Sequence, residues 1–308
     1  MVLKGGAGEV WAVAFHADGK HFFEGTSDSS GIRRWRVTDG QELGKQTGIT
    51  VFAISVSKDQ KWVVCGTTSG ASVWDAELRE KVVEVESGEY VLSVDVAPDC
   101  TKFATGTNSG NANIRSITTG EKLVGPLEHG SDVNGVRFSP DGARLATACN
   151  DSTIRIFDSH NGDLLTIIEN LLPGISYLPI VWSTHNQQLF AVSENYTIKL
   201  FDSSTGSPLA EWKIHENSDS PMSIALSPNG KFIASSAGCF VSFWDTSTHT
   251  QLGIVEETHK IESIALSPDG CRLAAGSTDS RTSIWDLRSI LPDSYLLGNV
   301  STPFLKAR

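Results

Sequence analysis

Seven copies of one short pattern, spaced at a nearly constant interval, constrain this chain more than anything else in its sequence. A turn phrase reads Phe138-Ser139-Pro140-Asp141-Gly142 in its fullest form and returns at 226–230 and 266–270. Looser copies begin at Phe15, Val56, Val96 and Trp182. Each is followed by an alternating phrase that carries Trp35, Trp74, Arg115, Phe157, Phe201, Trp244 or Trp285, and these positions lie 39, 41, 42, 44, 43 and 41 residues apart. Such a period means a repeat architecture, in which each unit buries its apolar face only against its neighbours.

Within a unit the chemistry is that of strands. In the fourth, Val136 and Phe138 alternate with polar neighbours, and Pro140-Asp141-Gly142 is a turn signal. Leu145–Cys149 is a second strand, Asn150-Asp151-Ser152 turns the chain again, and Ile154–Phe157 alternates as a third. Asn161-Gly162 is another turn, and Leu164–Ile168 makes a fourth strand. Helical periodicity is absent. Four strands per ~40 residues is a propeller blade, and seven blades close a ring that protects most sheet edges. The predicted fold is all-β: one seven-bladed β-propeller of four-stranded antiparallel blades over residues 1–290, with a C-terminal tail at 291–308.

The chain resembles the WD-repeat (WD40) family over roughly residues 1–290. Trp74-Asp75, Trp244-Asp245 and Trp285-Asp286 carry the Trp-Asp ends, and His129, His215 and His259 fall where the family places the His of its Gly-His pair, without the preceding Gly. The resemblance implies a ring closed by pairing both chain ends in one blade. Val2-Leu3-Lys4 is the favoured outer strand of that blade, and Tyr295-Leu296-Leu297 of the tail is the alternative. Either way the chain reads as the end of a longer protein.

His129, Thr147 and Asp151 are the parts of a hydrolase triad. The resemblance implies a different role, a hydrogen-bonded brace of His129, Thr147, Asp151 and Phe157 inside the fourth blade, in which Phe157 has no N–H to complete it. Asp151 is expected to accept from turn N–H groups and from His129. The seventh blade keeps His259, Asp279 and Trp285 but has Ala275 at the hydroxyl place, and the sixth keeps His215, Ser235 and Trp244 with Cys239 at the Asp place. A part kept or dropped blade by blade reads as bracing, and no catalytic residue is expected.

Other chemistry finds little footing. The five cysteines form no CxxC pair, there is no HExxH or EF-hand loop, and no metal site or cofactor is expected. The Gly-rich stretches at 25–31, 66–70 and 106–110 lack the Lys and the helix of a phosphate cradle and read as turns. A net charge of −11 argues against coating nucleic acid or an anionic membrane. The start has no signal-peptide core, and the expected place is the cytoplasm, with a nuclear role open.

Binding remains. Aligning the units puts Trp11, Phe52, Leu92, Asn134, Leu178, Met222 and Glu262 just after the first apolar residue of the innermost strands, at one mouth of the channel. Just before it stand Glu9, Thr50, Tyr90, Asp132, Ser176, Ser220 and Lys260. An apolar cluster rimmed by Glu9, Asp132 and Glu262 suits a protein or peptide partner, with the rim favouring a basic one. The expected function is a non-catalytic interaction scaffold, monomeric or within a larger complex. A sensor or substrate-recognition domain of a larger assembly, such as a nucleotide-dependent receptor or ubiquitin-ligase adaptor, is the alternative. A quinone-cofactor propeller enzyme would need a cage of acidic calcium ligands in the channel, which the aligned positions do not offer.

Overall fold

The seven-fold period becomes seven four-stranded antiparallel sheets in the computed structural model, which describes residues 1–169, 179–193, 196–214 and 223–296. In blade 1 the strands Val10–Phe15, His21–Thr26, Ile32–Arg36 and Glu42–Gln46 follow one another outward from the channel. Blades 2 to 6 repeat the order, their innermost strands being Val51–Val56, Val91–Val96, Val133–Phe138, Ile180–Trp182 and Ile224–Leu226. Blade 7 starts with Ile261–Leu266 and ends with a strand from the other end of the chain. Val2–Lys4 pairs antiparallel with Arg281–Asp286, with Leu3 opposite Thr282, and closes the ring. That edge is therefore not open to Tyr295. Two short 3-10 turns, Leu287–Ser289 and Asp293–Tyr295, instead carry Leu287, Leu291 and Tyr295 onto the seam of blades 6 and 7, where the Tyr295 hydroxyl donates to Asp245. Leu297 and the rest of the tail lie outside the described residues.

The repeated phrases have local causes. The last position of the Ser-Pro-Asp-Gly turn is left-handed in every blade, with φ between 59° at Cys100 and 75° at Gly142. Glycine takes that conformation at no steric cost, which is why four of the seven copies have it (Gly19, Gly142, Gly230, Gly270). The Ser of the turn holds the next strand: Ser139 Oγ donates to Asp141 Oδ1 at 2.5 Å and accepts from Arg144 N at 3.0 Å. The Asp that follows the aromatic residue caps the outer turn. Asp75 accepts from Arg79 N at 2.7 Å, Asp202 from Ser204 N at 2.9 Å, and Asp245 from Ser247 N at 2.7 Å. These short side-chain acceptors satisfy turn N–H groups that the ladder leaves unpaired.

The core is a set of seams rather than one centre. Each of seven buried apolar clusters joins two adjacent blades; Ile154 and Ile156 of blade 4 pack on Ile180, Trp182, Leu189 and Phe201 of blade 5, for example. A fully buried Phe such as Phe103 contributes ~1.5–3 kcal/mol by leaving water. Polar clamps run along the inner strands as well. Ser263 Oγ accepts from Val13 N at 3.2 Å, Ser55 Oγ from Val96 N at 3.0 Å, Ser93 Oγ from Val136 N at 3.1 Å, and Ser223 Oγ from Ile264 N at 3.3 Å. At four seams a glycine lets the backbones close in. A Cβ on Gly25, Gly66, Gly106 or Gly276 would stand 2.4–2.6 Å from Val51, Val91, Val133 or Val10 of the next blade. The four seams are consecutive and run from blade 7 through blade 4.

Candidate functional site

The channel mouth is built from one irregularity repeated around the ring. In blades 1, 2, 3, 4 and 7 the innermost strand slips register between its first residue and the residue two further on: Val10/Ala12, Val51/Ala53, Val91/Ser93, Val133/Gly135 and Ile261/Ser263. The extra residue in each bulge is Trp11, Phe52, Leu92, Asn134 or Glu262. A bulge re-aims its extra side chain, and here all five line one cavity of about 260 Å³ at the channel. Leu178 and Met222, the expected members from blades 5 and 6, lie outside the described residues, as do Ser176 and Ser220. Ile180 and Ile224 line the cavity from those two blades.

Close seams put the aromatic members in contact. Trp11 and Phe52 stack with ring centroids 5.2 Å apart and planes 13° from parallel, and Phe52 and Tyr90 stack at 5.7 Å and 29°. Three rings from three consecutive blades thus form one arc. Trp11 and Phe52 are half-buried and Tyr90 is 48% exposed, so the arc presents ring surface to solvent at its outer end. The indole N–H of Trp11 is fixed by Glu9 Oε2 at 2.9 Å.

The rim differs from expectation in one respect. Lys260 Nζ lies 3.1 Å from Glu262 Oε1, so these two charges balance each other and the negative rim rests on Glu9 and Asp132. Asn134 donates to Asn150 Oδ1 at 2.5 Å and is held in the wall. Arg137, which sequence alignment of the mouth passes over, also lines the cavity. Its signal was its place between Val136 and Phe138, which strand alternation turns toward the channel. Nearby, Asp95 accepts from Phe138 N at 2.8 Å and Ser55 Oγ at 3.3 Å. Burial pushes its pKa up, with Arg137 opposing.

The brace in blade 4 forms, with altered wiring. His129 Nε2 lies 2.7 Å from Thr147 Oγ1, and its Nδ1 lies 2.9 Å from Leu127 O. Asp151 does not hydrogen-bond the imidazole; it accepts from Gly130 N at 3.1 Å, Thr153 Oγ1 at 2.6 Å and Arg155 Nη2 at 2.9 Å. Arg155 takes the carboxylate that a hydrolase would aim at its histidine. Burial lowers the His129 pKa, and Arg155 adds to that. Thr147 is fully buried and faces no cleft, so its hydroxyl is not open to a substrate. The ring of Phe157 meets His129 edge-on at 5.8 Å.

In blade 7 the expected chain is broken further. His259 Nδ1 pairs with Asp279 Oδ2 at 3.1 Å, but the Trp285 indole turns to Glu257 Oε1 at 2.6 Å, because Ala275 offers it no hydroxyl. Blade 6 keeps the Trp244 Nε1 to Ser235 Oγ bond at 3.2 Å, while His215 lies outside the described residues.

Comparison with known proteins matches residues 121–158, 206–245 and 250–286 to the model of the family described as "WD domain, G-beta repeat". Each matched stretch spans the outer strand of one blade and three strands of the next, the same offset that leaves Val2–Lys4 to complete blade 7. The chain is 26% identical over 248 residues to the serine-threonine kinase receptor-associated protein of Gallus gallus, covering 76% of this chain and 63% of that protein. It is 29% identical over 248 residues to the guanine nucleotide-binding protein subunit beta of Solanum tuberosum, covering 75% and 52%. It is 30% identical over 148 residues to the WD repeat-containing protein SL1-17 of Schistosoma mansoni, covering 46% and 48%. The aligned stretches thus span between 48% and 63% of these relatives' own lengths.

Proposed function

We propose, from the premise that the chain is a WD-repeat β-propeller, that it is a non-catalytic scaffold binding a protein segment at the aromatic mouth of its channel. The observation that carries this reading is the solvent-facing arc of Trp11, Phe52 and Tyr90, continued inward by Leu92. Stacked rings held by glycine-close seams are pre-organised, so a partner side chain entering the cavity meets apolar surface without first ordering it. Aromatic anchors of this kind typically cost ~2 kcal/mol or more when truncated. Glu9 and Asp132 favour a partner segment that carries Lys or Arg beside an apolar anchor. The names of two similar proteins, a receptor-associated protein and a guanine nucleotide-binding protein subunit, support a role within protein complexes. The buried Thr147 hydroxyl supports a non-enzymatic reading of the histidine brace. We place the protein in the cytoplasm or nucleus, where fractionation checks it.

The test is affinity purification with mass spectrometry, using the parent chain beside a Trp11→Ala/Phe52→Ala variant. Partners captured by the parent are expected to vanish from the variant, while circular dichroism shows the sheet intact. An unchanged set of partners on a folded variant would sink the proposal. A Glu9→Gln/Asp132→Asn variant tests the basic preference separately, through a slower association rate with a weaker salt dependence.

A further inference from the structure

At the end of blade 1 opposite the mouth, one turn carries histidine at two places where no other blade does. In blades 2, 4, 5, 6 and 7 this turn has a serine whose hydroxyl accepts from the strand that follows: Ser57 from Trp62 N at 2.9 Å, Ser139 from Arg144 N at 3.0 Å, Ser183 from Gln188 N at 3.2 Å, and Ser227 and Ser267 from Phe232 N and Arg272 N at 2.9 Å, while blade 3 has Ala97 there. Blade 1 has His16 there, Asp18 two residues on, and His21 in the place of Trp62, Arg144, Phe232 and Arg272. The structural task of the turn is still met, because Asp18 Oδ1 accepts from Lys20 N at 2.7 Å and His21 N at 3.1 Å. The imidazoles add only one long contact to the turn, from Asp18 N to His16 Nδ1 at 3.4 Å.

Those two bonds orient the carboxylate so that Oδ2 faces both rings. His21 Nδ1 lies 2.6 Å from Asp18 Oδ2, and His16 Nδ1 lies 3.0 Å from the same oxygen. The three donor atoms fall within 4.8 Å of one another, the one such group of His, Cys, Asp or Glu among the described residues. His16 is 5% exposed and faces blade 2, with Nε2 3.4 Å from Gln60 O. With an N–H on Nε2 toward that carbonyl, Nδ1 keeps its lone pair, which faces Asp18 N only at a long 3.4 Å and is free to bind a cation held with Asp18 Oδ2. An imidazole whose far nitrogen donates to a backbone carbonyl is the usual outer support of a metal-bound histidine.

We propose that His16 Nδ1, Asp18 Oδ2 and His21 Nδ1 form a binding site for a divalent transition-metal ion of the zinc class. Two imidazoles and one carboxylate suit Zn²⁺ or Co²⁺ better than the oxygen-seeking Ca²⁺ or Mg²⁺. Three protein ligands leave a coordination position for water or a group from outside the chain. The sequence expectation of no metal rests on cysteine pairs and HExxH spacings. A His-x-Asp-x-x-His stretch becomes a site only because the turn folds its ends together. The site is roughly 17 Å from the mouth, five strand residues at ~3.4 Å each, so it stands apart from the partner surface.

The experiment uses the full chain, free of any polyhistidine tag and stripped with a chelator. Co²⁺ is titrated by visible absorption, and Zn²⁺ by competition with a chromogenic chelator. The parent chain is expected to take up one equivalent at micromolar concentration, with its melting temperature rising as Zn²⁺ is added. His16→Ser, which restores the serine of five other blades, is expected to weaken uptake at least tenfold. His21→Arg, the residue at that place in blades 4 and 7, gives a second test should the first fail to fold. His160→Gln, at an exposed imidazole elsewhere, is expected to change nothing. No uptake by the parent, or equal uptake by folded His16→Ser and His21→Arg, would overturn the proposal. So would an imidazole pair that titrates with protons and ignores both metals.

Discussion

Trp11 and Phe52 come from different blades, 41 residues apart in the chain, yet their rings lie 5.2 Å apart and nearly parallel. Phe52 also stacks on Tyr90, so it is the middle ring of three. Stacked pairs contribute ~0.5–1.5 kcal/mol beyond area burial. Trp11→Ala breaks one pair and Phe52→Ala breaks two. Urea denaturation should therefore show Phe52→Ala as the costlier change by ~1 kcal/mol, although indole is the larger ring. Equal costs, or a costlier Trp11→Ala, would mean that the rings do not stack in solution.

How much of this was legible beforehand follows from what a repeat makes visible. The period places strands and blades, and aligning the units brought Trp11, Phe52, Leu92, Asn134 and Glu262 to one mouth, because each occupies the same bulge of the same strand. Side-chain wiring is not periodic. The Trp285 indole finds Glu257, Lys260 cancels Glu262, and Arg155 claims Asp151, each through a long side chain whose reach no alignment position encodes. His16 was invisible for the complementary reason: an alignment rewards what the units share, and this residue is where blade 1 departs from its neighbours.

Left-handed backbone gives a stabilising substitution. Cys100 adopts φ of 59° at the place where four other blades use glycine. A side chain there costs ~1–2 kcal/mol, and glycine returns ~0.5–1 kcal/mol of that as unfolded-state entropy. Cys100→Gly is expected to stabilise by ~0.5–1 kcal/mol in a denaturation midpoint with unchanged slope. A destabilised variant would show that the Cys100 side chain holds more than its weak contact with Pro98 O at 3.8 Å.

The capping aspartates set the acid limb of stability. Hydrogen bonds from the Ser204 hydroxyl and the Thr205 and Ser204 N–H groups hold Asp202 down at about 2, and the His160 N–H lowers Asp158 likewise. Burial works against Asp141 and Asp245, but their serine and backbone donors outweigh it. A folded-state pKa below the unfolded ~3.9 means stability present above that pH and lost as pH falls through the folded values. The urea midpoint should drop steadily between pH ~4 and ~2. Glu24 has the opposite sign: burial raises it, although the Thr282 hydroxyl opposes. Its contribution is present below the unfolded value and lost as pH rises, so Glu24→Gln should gain on the parent as pH climbs above ~4. A difference that stays flat with pH would place the Glu24 carboxylate in water.

The seams and the mouth make one joint prediction. A Cβ at Gly66 would stand 2.4 Å from Val91 O, a backbone atom that cannot swing aside. Gly66→Ala must push blade 3 away from blade 2, and overpacking of this kind costs ~1–3 kcal/mol. The same displacement separates Phe52 from Tyr90, because the two rings stack across that seam, one from each blade. Gly276→Ala, at the seam of blades 7 and 1, meets Val10 at 2.6 Å and should cost similar stability while leaving that ring pair alone. Both variants are to be compared by denaturation and by capture of the partners that the Trp11→Ala/Phe52→Ala chain loses. Weakened capture is expected from Gly66→Ala beyond what Gly276→Ala shows at matched stability. Equal capture by the two would separate the partner surface from the arc, and would leave the close seams as a stability device alone.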